Sequence, residues 1–301
     1  MAMLKYPKTF GELLSWFPDE KACRDYLEKV RWPEGVQCPR CGTSQSWARL
    51  QTSLWDCAKC RRPFSLFAGT IFQDTHLPLR TWFHAIWWIV NQKTGMSALG
   101  LQRSLGLGSY RTAWVLLHKL RVSTIRTGRE RLSGQVEVDE VFLGGKHNKE
   151  LIGVATEIKG SGTGRIRMEQ IIDRSSKSLV GFVERSIEPG SVIVTDGLQS
   201  YDAVEKKKYI HKPMRKPYFW EDQNPDDDKL LPRVHRVASL LKRWYYGTHQ
   251  GRIDPCHLNS YLNEFVFRFN RRTSSSRGLL FYRTLENSVR ANPLTYSKLT
   301  R

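Results

Sequence analysis

The chain has 301 residues, 40% of them hydrophobic, which is enough for one large domain with smaller ones beside it. Its formal net charge of +19 indicates a long polyanion such as double-stranded DNA as the partner. These properties exclude a membrane-spanning protein, because the most apolar stretch, Trp82 to Val90, is too short to cross a bilayer. No basic amphipathic helix suited to a membrane surface is evident and the N-terminus lacks the apolar core of a signal peptide, so we expect a cytoplasmic protein.

Helical spacing of apolar residues predicts the first elements of the chain. A helix is expected over residues 10–31, with an interruption near Pro18. A mostly buried helix is expected over residues 78–92, ending before Gly95. The segment between these helices has a different character, because it is rich in cysteine and aromatic residues.

Four of the six cysteines form two Cys-x-x-Cys pairs, namely Cys38, Cys41, Cys57 and Cys60. The residues between the pairs, 42–56, include the turn and aromatic residues of a short hairpin. Each pair can direct two thiolates at one metal ion, and two pairs complete a tetrahedral zinc site. Two disulfides or a redox-active dithiol are the alternatives. We expect one structural zinc ion in a zinc ribbon over residues 36–67.

Residues 97–121 predict two helices joined by a tight turn. The first covers 97–105, Gly106-Leu107-Gly108 forms the turn, and Ser109 can cap the second helix. This outline fits a DNA-binding helix-turn-helix, although an ordinary helical hairpin has the same pattern. For the DNA-binding interpretation, the groove-facing candidates are Tyr110, Arg111, His118 and Lys119.

From residue 132 onward the pattern changes to alternating strands and helices. Strands are predicted at 135–143, 150–157, 164–173, 191–195 and 209–210. Helices are predicted at 176–186, at 198–207 and from Pro232 to about Tyr246, and the polar residues 217–230 are predicted to form a loop. This order of elements is that of a ribonuclease H-like α/β core.

The strand at 135–143 carries three acids, Glu137, Asp139 and Glu140. Because successive side chains alternate, Glu137 and Asp139 share one face and Glu140 lies on the other. An acid in an apolar strand is costly unless it binds a metal ion or another cation. Asp196 follows a second apolar strand, where site residues of α/β sheets lie, although it also fits a simple turn cap. Carboxylates at neighbouring strand ends suit magnesium or manganese.

The long helix adds polar residues on one face. His235 and Lys242 are seven residues apart, which is two turns and roughly 10 Å along that face, and Ser239 lies between them. One end of the face can approach the carboxylates while the other meets a phosphate. Taken alone, His235 also fits an ordinary surface or core histidine. Arg243 is a further candidate for DNA contact.

Several motifs together resemble those of one family. They are the zinc ribbon, residues 68–72, residues 136–140 with Gly144-Gly145, residues 160–164, Thr195-Asp196-Gly197 with Tyr201, residues 247–251 and residues 265–272. In combination and spacing they resemble bacterial insertion-sequence transposases that have an N-terminal zinc ribbon and a DDE-type catalytic domain. The resemblance covers essentially the whole chain.

The resemblance implies that Asp139 and Asp196 are the first two catalytic acids. Members of the family carry Glu, Asn or His at the third position, followed seven residues later by Lys, and here these positions are His235 and Lys242. Histidine in place of glutamate removes one negative charge and is a softer ligand. The resemblance implies two catalytic magnesium or manganese ions held by Asp139, Asp196 and His235.

The implied function is a DNA transposase that cuts element ends and joins 3′-hydroxyls to target DNA, acting as a homo-oligomer at the bacterial nucleoid. Two other classes share these features: a DNA-binding regulator derived from a transposase, and a nuclease or resolvase with the same core. The predicted domains are an N-terminal helical segment (1–35), the zinc ribbon (36–67), a helix-turn-helix-like region (68–130), the ribonuclease H-like catalytic domain (131–285) and a C-terminal basic tail (286–301).

Overall fold

The computed structural model describes residues 4–49, 54–125, 128–145, 149–214 and 230–300, so most of the predicted loop at 217–230 lies outside the described residues. The α-helices are α1 (Phe10–Trp16), α2 (Glu20–Arg31), α3 (Leu79–Asn91), α4 (Ala98–Leu105), α5 (Tyr110–Ser123), α6 (Ser176–Ser186), α7 (Pro232–His249), α8 (Leu258–Asn270), α9 (Arg277–Arg290) and α10 (Tyr296–Leu299). The β-strands are β1 (Ser46–Ala48), β2 (Leu54–Cys57), β3 (Pro63–Ser65), β4 (Gln135–Gly144), β5 (Lys149–Lys159), β6 (Gly162–Ile171), β7 (Val192–Thr195) and β8 (Ile210–Pro213). Short 3-10 helices cover Gln199–Lys207 and Pro255–His257.

The chain divides into two compact units. One consists of Met1–Arg126 and Ser274–Arg301, and the other of Thr127–Thr273. The second unit is therefore inserted in the sequence of the first. Residues 274–285, predicted to belong to the catalytic domain, group with the N-terminal residues instead.

Side-chain caps mark the starts of several helices of the first unit, including α2 and α5. The interruption predicted near Pro18 is confirmed, because α2 starts afresh after Asp19, whose carboxylate accepts the amide of Ala22. The predicted pair of helices is also confirmed. Gly106 ends α4 with a φ of 61°, which favours glycine, and the Ser109 hydroxyl caps α5.

Helix α9 completes the aromatic core of the first unit. Phe281 is fully buried, and its ring centroid lies 5.6 Å from that of Phe83 and 6.3 Å from that of Phe17. Residues 286–290 were predicted to belong to a basic tail, but they continue α9 and bury Val289. The reason is that the basic residues of this helix fall between apolar ones at helical spacing.

The second unit is built on a five-stranded sheet in the order β6-β5-β4-β7-β8. Strands β4, β5 and β6 form an antiparallel meander, while β7 and β8 run parallel to β4. Helix α6 packs on one face through residues such as Phe182, and α7 and α8 supply the core of the other face, as with Leu241 and Phe265. This arrangement confirms the predicted ribonuclease H-like α/β class.

Helix α8 covers the edge strand β6. The side-chain amide of Asn270 accepts from the Ile166 amide at 2.8 Å and donates to the Ile166 carbonyl at 3.1 Å. About three turns earlier in α8, the side-chain oxygen of Asn259 accepts a hydrogen bond from the Gln170 amide at 2.9 Å. The motif at 265–272 therefore has a structural role, since it satisfies backbone groups that an open sheet edge would expose.

Among the described residues, no helix is both long and apolar enough to cross a membrane.

Candidate functional site

The four cysteines predicted to bind zinc converge in the first unit. Their Sγ atoms all lie within 4.8 Å of one another, with 3.8 Å between Cys38 and Cys60 and 3.4 Å between Cys41 and Cys57. A zinc tetrahedron with Zn–S bonds of about 2.3 Å has edges of about 3.8 Å, so the donor set fits a zinc ion. All four are free thiols, which disagrees with the disulfide alternative.

Local contacts shift the pKa values of two of these thiols in opposite directions. The Cys60 amide donates to Cys57 Sγ at 3.4 Å, and this hydrogen bond, with those from the Cys41 and Cys60 side chains, lowers the pKa of the Cys57 thiol to about 6. Against a backbone hydrogen bond from Thr43, burial and the other cysteines raise the pKa of the Cys41 thiol to about 11. A thiolate is the form that ligates zinc. Strands β1 to β3 form the small sheet, and Trp32, Trp55 and Phe64 pack against the cysteines. The aromatic residues thus provide a small core around the site.

In the second unit, strands β4 and β7 bring the two predicted catalytic aspartates to neighbouring positions. The parallel register pairs Glu137 with Val194. Extending this register by two residues places Asp196, which directly follows β7, beside Asp139. The sequence predicted both acids at strand ends. In the structure only Asp196 follows a strand end, whereas Asp139 lies in the middle of β4, beside the point where the shorter β7 stops.

Burial raises the pKa of Asp139, and the negative charge of Asp196 raises it further, while the Glu140 amide, His235 and Arg174 act in the opposite direction. The Nε2 atom of His235 lies 3.4 Å from Asp139 Oδ2. His235 therefore lies beside Asp139, the residue with which it is predicted to share a metal ion. Carboxylates are ligands that manganese and magnesium prefer, whereas imidazole is a softer donor. Among the described residues, only the four cysteines gather three or more His, Cys, Asp or Glu ligand atoms within 4.8 Å of one another.

Glu137 shares its strand face with Asp139, but its carboxylate binds the start of α7. Its Oε2 accepts hydrogen bonds from the amides of Arg233 (2.8 Å) and Val234 (2.9 Å), and its Oε1 accepts from the Arg233 guanidinium at 2.9 Å. These amides belong to the first turn of α7, where a negative charge is favourable. Glu137 is therefore a helix cap with both oxygens engaged.

Helix α7 lies along β4 at two points beyond this cap. Besides the contact of His235 with Asp139, the Tyr246 hydroxyl donates to the Gly144 carbonyl at 3.0 Å. Eleven helical residues and five strand residues both span about 16 Å, so the helix and the strand run side by side between these points. Lys242 is exposed and lies on the same helix face between His235 and Tyr246.

Glu140 lies on the opposite strand face, as predicted. Its Oε2 accepts the Tyr201 hydroxyl at 2.8 Å and its Oε1 pairs with Arg174 at 3.0 Å. Burial raises the pKa of Glu140, although the Tyr201 hydrogen bond opposes this. The Tyr201 of the motif thus ties the segment after Asp196 to the strand that carries Asp139.

A buried histidine that was not predicted as a site residue contacts the residue before Asp196. His211 Nε2 is 2.9 Å from the hydroxyl of Thr195, the residue before Asp196. The same hydroxyl accepts the amide of Gly197, the residue after it, at 3.2 Å. No sequence signal marks His211, because it follows a lysine-rich segment and belongs to no motif.

The predicted DNA-contact residues separate into two groups. Tyr110, Arg111 and Arg243 are exposed, in agreement with contact to a large ligand. The prediction is wrong for His118 and Lys119, which are 1% and 8% exposed. His118 packs on Trp114 with ring centroids 4.2 Å apart. Lys119 donates its ammonium to the Gln73 carbonyl at 3.1 Å, so neither can reach a groove.

Comparison with known proteins identifies two domains in the chain. Residues 131–270 match the family model of the ISXO2-like transposase domain, and residues 18–63 match that of the transposase zinc-ribbon domain. The uncharacterized protein in transposable element ISH50 of Halobacterium salinarum is 24% identical over 283 residues, which cover 84% of this chain and 91% of that protein.

A solved structure, the simian T-cell lymphotropic virus intasome in complex with PP2A regulatory subunit B56 gamma, aligns with a TM-score of 0.31 and 17% identity. The alignment covers 54% of this chain and 63% of that one, so less than two thirds of the solved chain is spanned.

A zinc ribbon followed by a ribonuclease H-like core with the DDE transposase pattern defines a transposase of insertion sequences. The two matched domains stand in this order and together cover more than half of the sequence. The chain belongs to the insertion-sequence transposase family that has these two domains.

Proposed function

We propose that the protein cuts DNA at the ends of its insertion element and joins the 3′-hydroxyls to target DNA. The observation that carries this proposal is that Asp196, directly after β7, lies beside Asp139 on the neighbouring strand β4, with His235 Nε2 3.4 Å from Asp139. Asp139, Asp196 and His235 would hold two magnesium or manganese ions, which supply activation of water and of the 3′-hydroxyl and stabilise charge on the phosphate.

The residues around the carboxylates have separate tasks in this proposal. Glu137 fixes the start of α7, and with it the position of His235 over Asp139. Lys242, on the same helix face, binds a DNA phosphate and so orients the scissile strand. Because the protein needs no covalent intermediate, no side-chain nucleophile is required at the site.

DNA recognition is assigned to the first unit and to the overall charge. The zinc ribbon and the helices α4 and α5 would bind the terminal repeats, with Tyr110 and Arg111 at the DNA surface. Arg243 would contact DNA near the catalytic residues. The net charge of +19 supplies sequence-independent attraction to both element ends and target. We assign its place of action to the nucleoid, as a homo-oligomer on DNA.

The test uses purified protein, labelled duplexes that carry the ends of the element, a target plasmid and manganese. We expect end cleavage followed by joining to the plasmid. Asp139→Asn and Asp196→Asn should abolish both steps and leave binding of the end duplex nearly unchanged. Binding without cleavage by the unaltered protein would indicate a regulator, and cleavage without joining would indicate a nuclease or resolvase.

A further inference from the structure

A chain of three polar side chains lies behind Asp196. The side chain of His211 on β8 is 2% exposed, its Nδ1 is 3.7 Å from Asp202 Oδ1, and its Nε2 is 2.9 Å from Thr195 Oγ1. The Thr195 hydroxyl in turn accepts the Gly197 amide. Carboxylate, imidazole and hydroxyl thus follow one another up to the backbone on either side of Asp196.

This order of groups is also found where a hydroxyl acts as a nucleophile. Here the surroundings exclude that role, because Thr195 is 0% exposed and no substrate can reach its oxygen. The hydroxyl is also engaged by the Gly197 amide. What remains for the three side chains is to hold the backbone that carries Asp196.

The two hydrogen bonds of the Thr195 hydroxyl are mutually consistent when His211 Nε2 is the acceptor. Nε2 then accepts the Thr195 hydroxyl proton, and the Thr195 oxygen remains free to accept from Gly197. On the other side of the ring, Nδ1 lies 3.7 Å from the Asp202 carboxylate, which is longer than a hydrogen bond. The side chain of Asp196 is oriented separately, since its Oδ1 accepts the Leu198 amide at 3.0 Å. The turn after β7 is therefore held on both sides of the catalytic carboxylate.

We infer that His211 is a positioning residue for Asp196, acting through the Thr195 hydroxyl on divalent metal binding. The inference rests on the proposed function, because it requires that Asp196 binds the metal ion. Groups that orient a metal ligand without touching the metal change metal affinity by about 10- to 100-fold. His211 and Thr195 should show effects of this size.

The experiment measures manganese affinity of the full chain without DNA, from the rise of its unfolding temperature with manganese concentration, and then the manganese dependence of end cleavage. Thr195→Val removes the hydroxyl at constant shape and should weaken manganese binding about 10- to 100-fold. Thr195→Ser should restore most of the affinity. His211→Ala should match Thr195→Val, and the double variant should be little worse than either, since both act through one contact.

The matched control is Tyr209→Phe, which removes a buried hydrogen bond of 3.0 Å to the Ile187 carbonyl next to β8. It should lower stability and leave the manganese affinity unchanged. If Thr195→Val behaves like Tyr209→Phe, the inference is overturned. Asp196→Asn separates the two proposals: normal cleavage by this variant overturns the proposed function, whereas loss of cleavage with an unaffected Thr195→Val overturns only the role of His211.

Should His211→Ala fail to fold, the comparison of Thr195→Val with Thr195→Ser decides the question alone. A manganese affinity that is weakened in Thr195→Val and retained in Thr195→Ser supports the inference, and an equal affinity in the two variants overturns it.

Discussion

Glu137 and Arg233 join strand β4 to the first turn of α7 through a side-chain ion pair of 2.9 Å and a backbone hydrogen bond of 2.8 Å. Two residues further along the strand, Asp139 contacts His235, which is two residues further along the helix. The same face of β4 thus anchors the start of α7 through Glu137 and contacts His235 through Asp139.

Glu137→Gln tests the anchoring role. We expect the free energy of unfolding to fall by about 1–3 kcal/mol, because a buried charged acceptor of two helix amides is lost. Manganese affinity should stay the same, since Glu137 has no free oxygen for a metal. Urea unfolding and a manganese titration measure the two effects, with the exposed Glu130→Gln as control. If Glu137→Gln lost as much manganese binding as Asp139→Asn, Glu137 would be identified as a metal ligand instead.

His235 is the residue whose role discriminates most sharply. If it ligates metal, His235→Ala should reduce end cleavage by at least about 100-fold, which is the upper effect of residues that only orient a ligand. His235→Glu should retain activity and use magnesium better, because it adds a carboxylate. Ser239→Ala, exposed one turn later on the same face, is the control. Near-normal cleavage by His235→Ala would remove His235 from the ligand set.

The raised pKa of Asp139 predicts that Asp139→Asn stabilises the metal-free protein at neutral pH. A carboxyl with a higher pKa in the folded state contributes stability below its unfolded pKa of about 4, and this contribution is lost as the pH rises through the folded pKa. The unfolding temperature of Asp139→Asn should therefore exceed that of the unaltered protein at pH 7, and the difference should shrink toward pH 4.

Manganese should reverse the order at pH 7, because it stabilises only the protein that binds it. Glu188→Gln, an exposed acid outside the site, should show neither effect. A difference of constant size from pH 4 to pH 7 would contradict the assignment of the effect to the Asp139 charge.

Cys57→Ser should abolish stoichiometric zinc and unfold the ribbon while the catalytic unit stays folded, because the ribbon has little core beyond its metal. Atomic absorption reports the zinc, and limited proteolysis reports which segment opens. Cys256→Ser alters an exposed thiol outside the cluster and should keep one zinc ion per chain. If protein purified under reducing conditions contains no bound zinc, the zinc site is refuted.

DNA binding should depend strongly on salt. If about six or more phosphates are neutralised, affinity should fall by about 10³-fold or more between roughly 50 and 200 mM salt. Arg111→Ala should reduce the slope of the logarithmic plot by about 1, as expected for one lost phosphate contact. Lys119→Met removes the same charge from a buried position and should leave the slope unchanged. A flat salt dependence would indicate a partner other than nucleic acid.

Much of the fold was predictable because local patterns carry it. The alternation in β4 predicted which acids share a face, the Ser109 and Gly106 pattern predicted the helix pair, and the cysteine spacing predicted the ribbon. Each of these depends on residues close together in the sequence, whose geometry follows from the helix or strand itself.

The remaining features depend on what packs against an element. The sequence showed that Glu137 faces the same side as Asp139, but not that the start of α7 lies there to use both oxygens. Lys119 was predicted to contact DNA, yet its stem is buried and its ammonium donates to the Gln73 carbonyl. His211 gave no signal, because its partner Thr195 is on another strand.

Because one unit is inserted in the sequence of the other, the two units are completed at different times during synthesis. Helix α9, which supplies Phe281 to the aromatic core around Phe17 and Phe83, follows the whole catalytic unit in the sequence. The second unit therefore emerges from the ribosome as one contiguous segment, whereas the first unit is incomplete until α9 has been synthesised. Until then, Phe17 and Phe83 lack their contacts with Phe281, and a chain that stopped near residue 273 would lack them permanently.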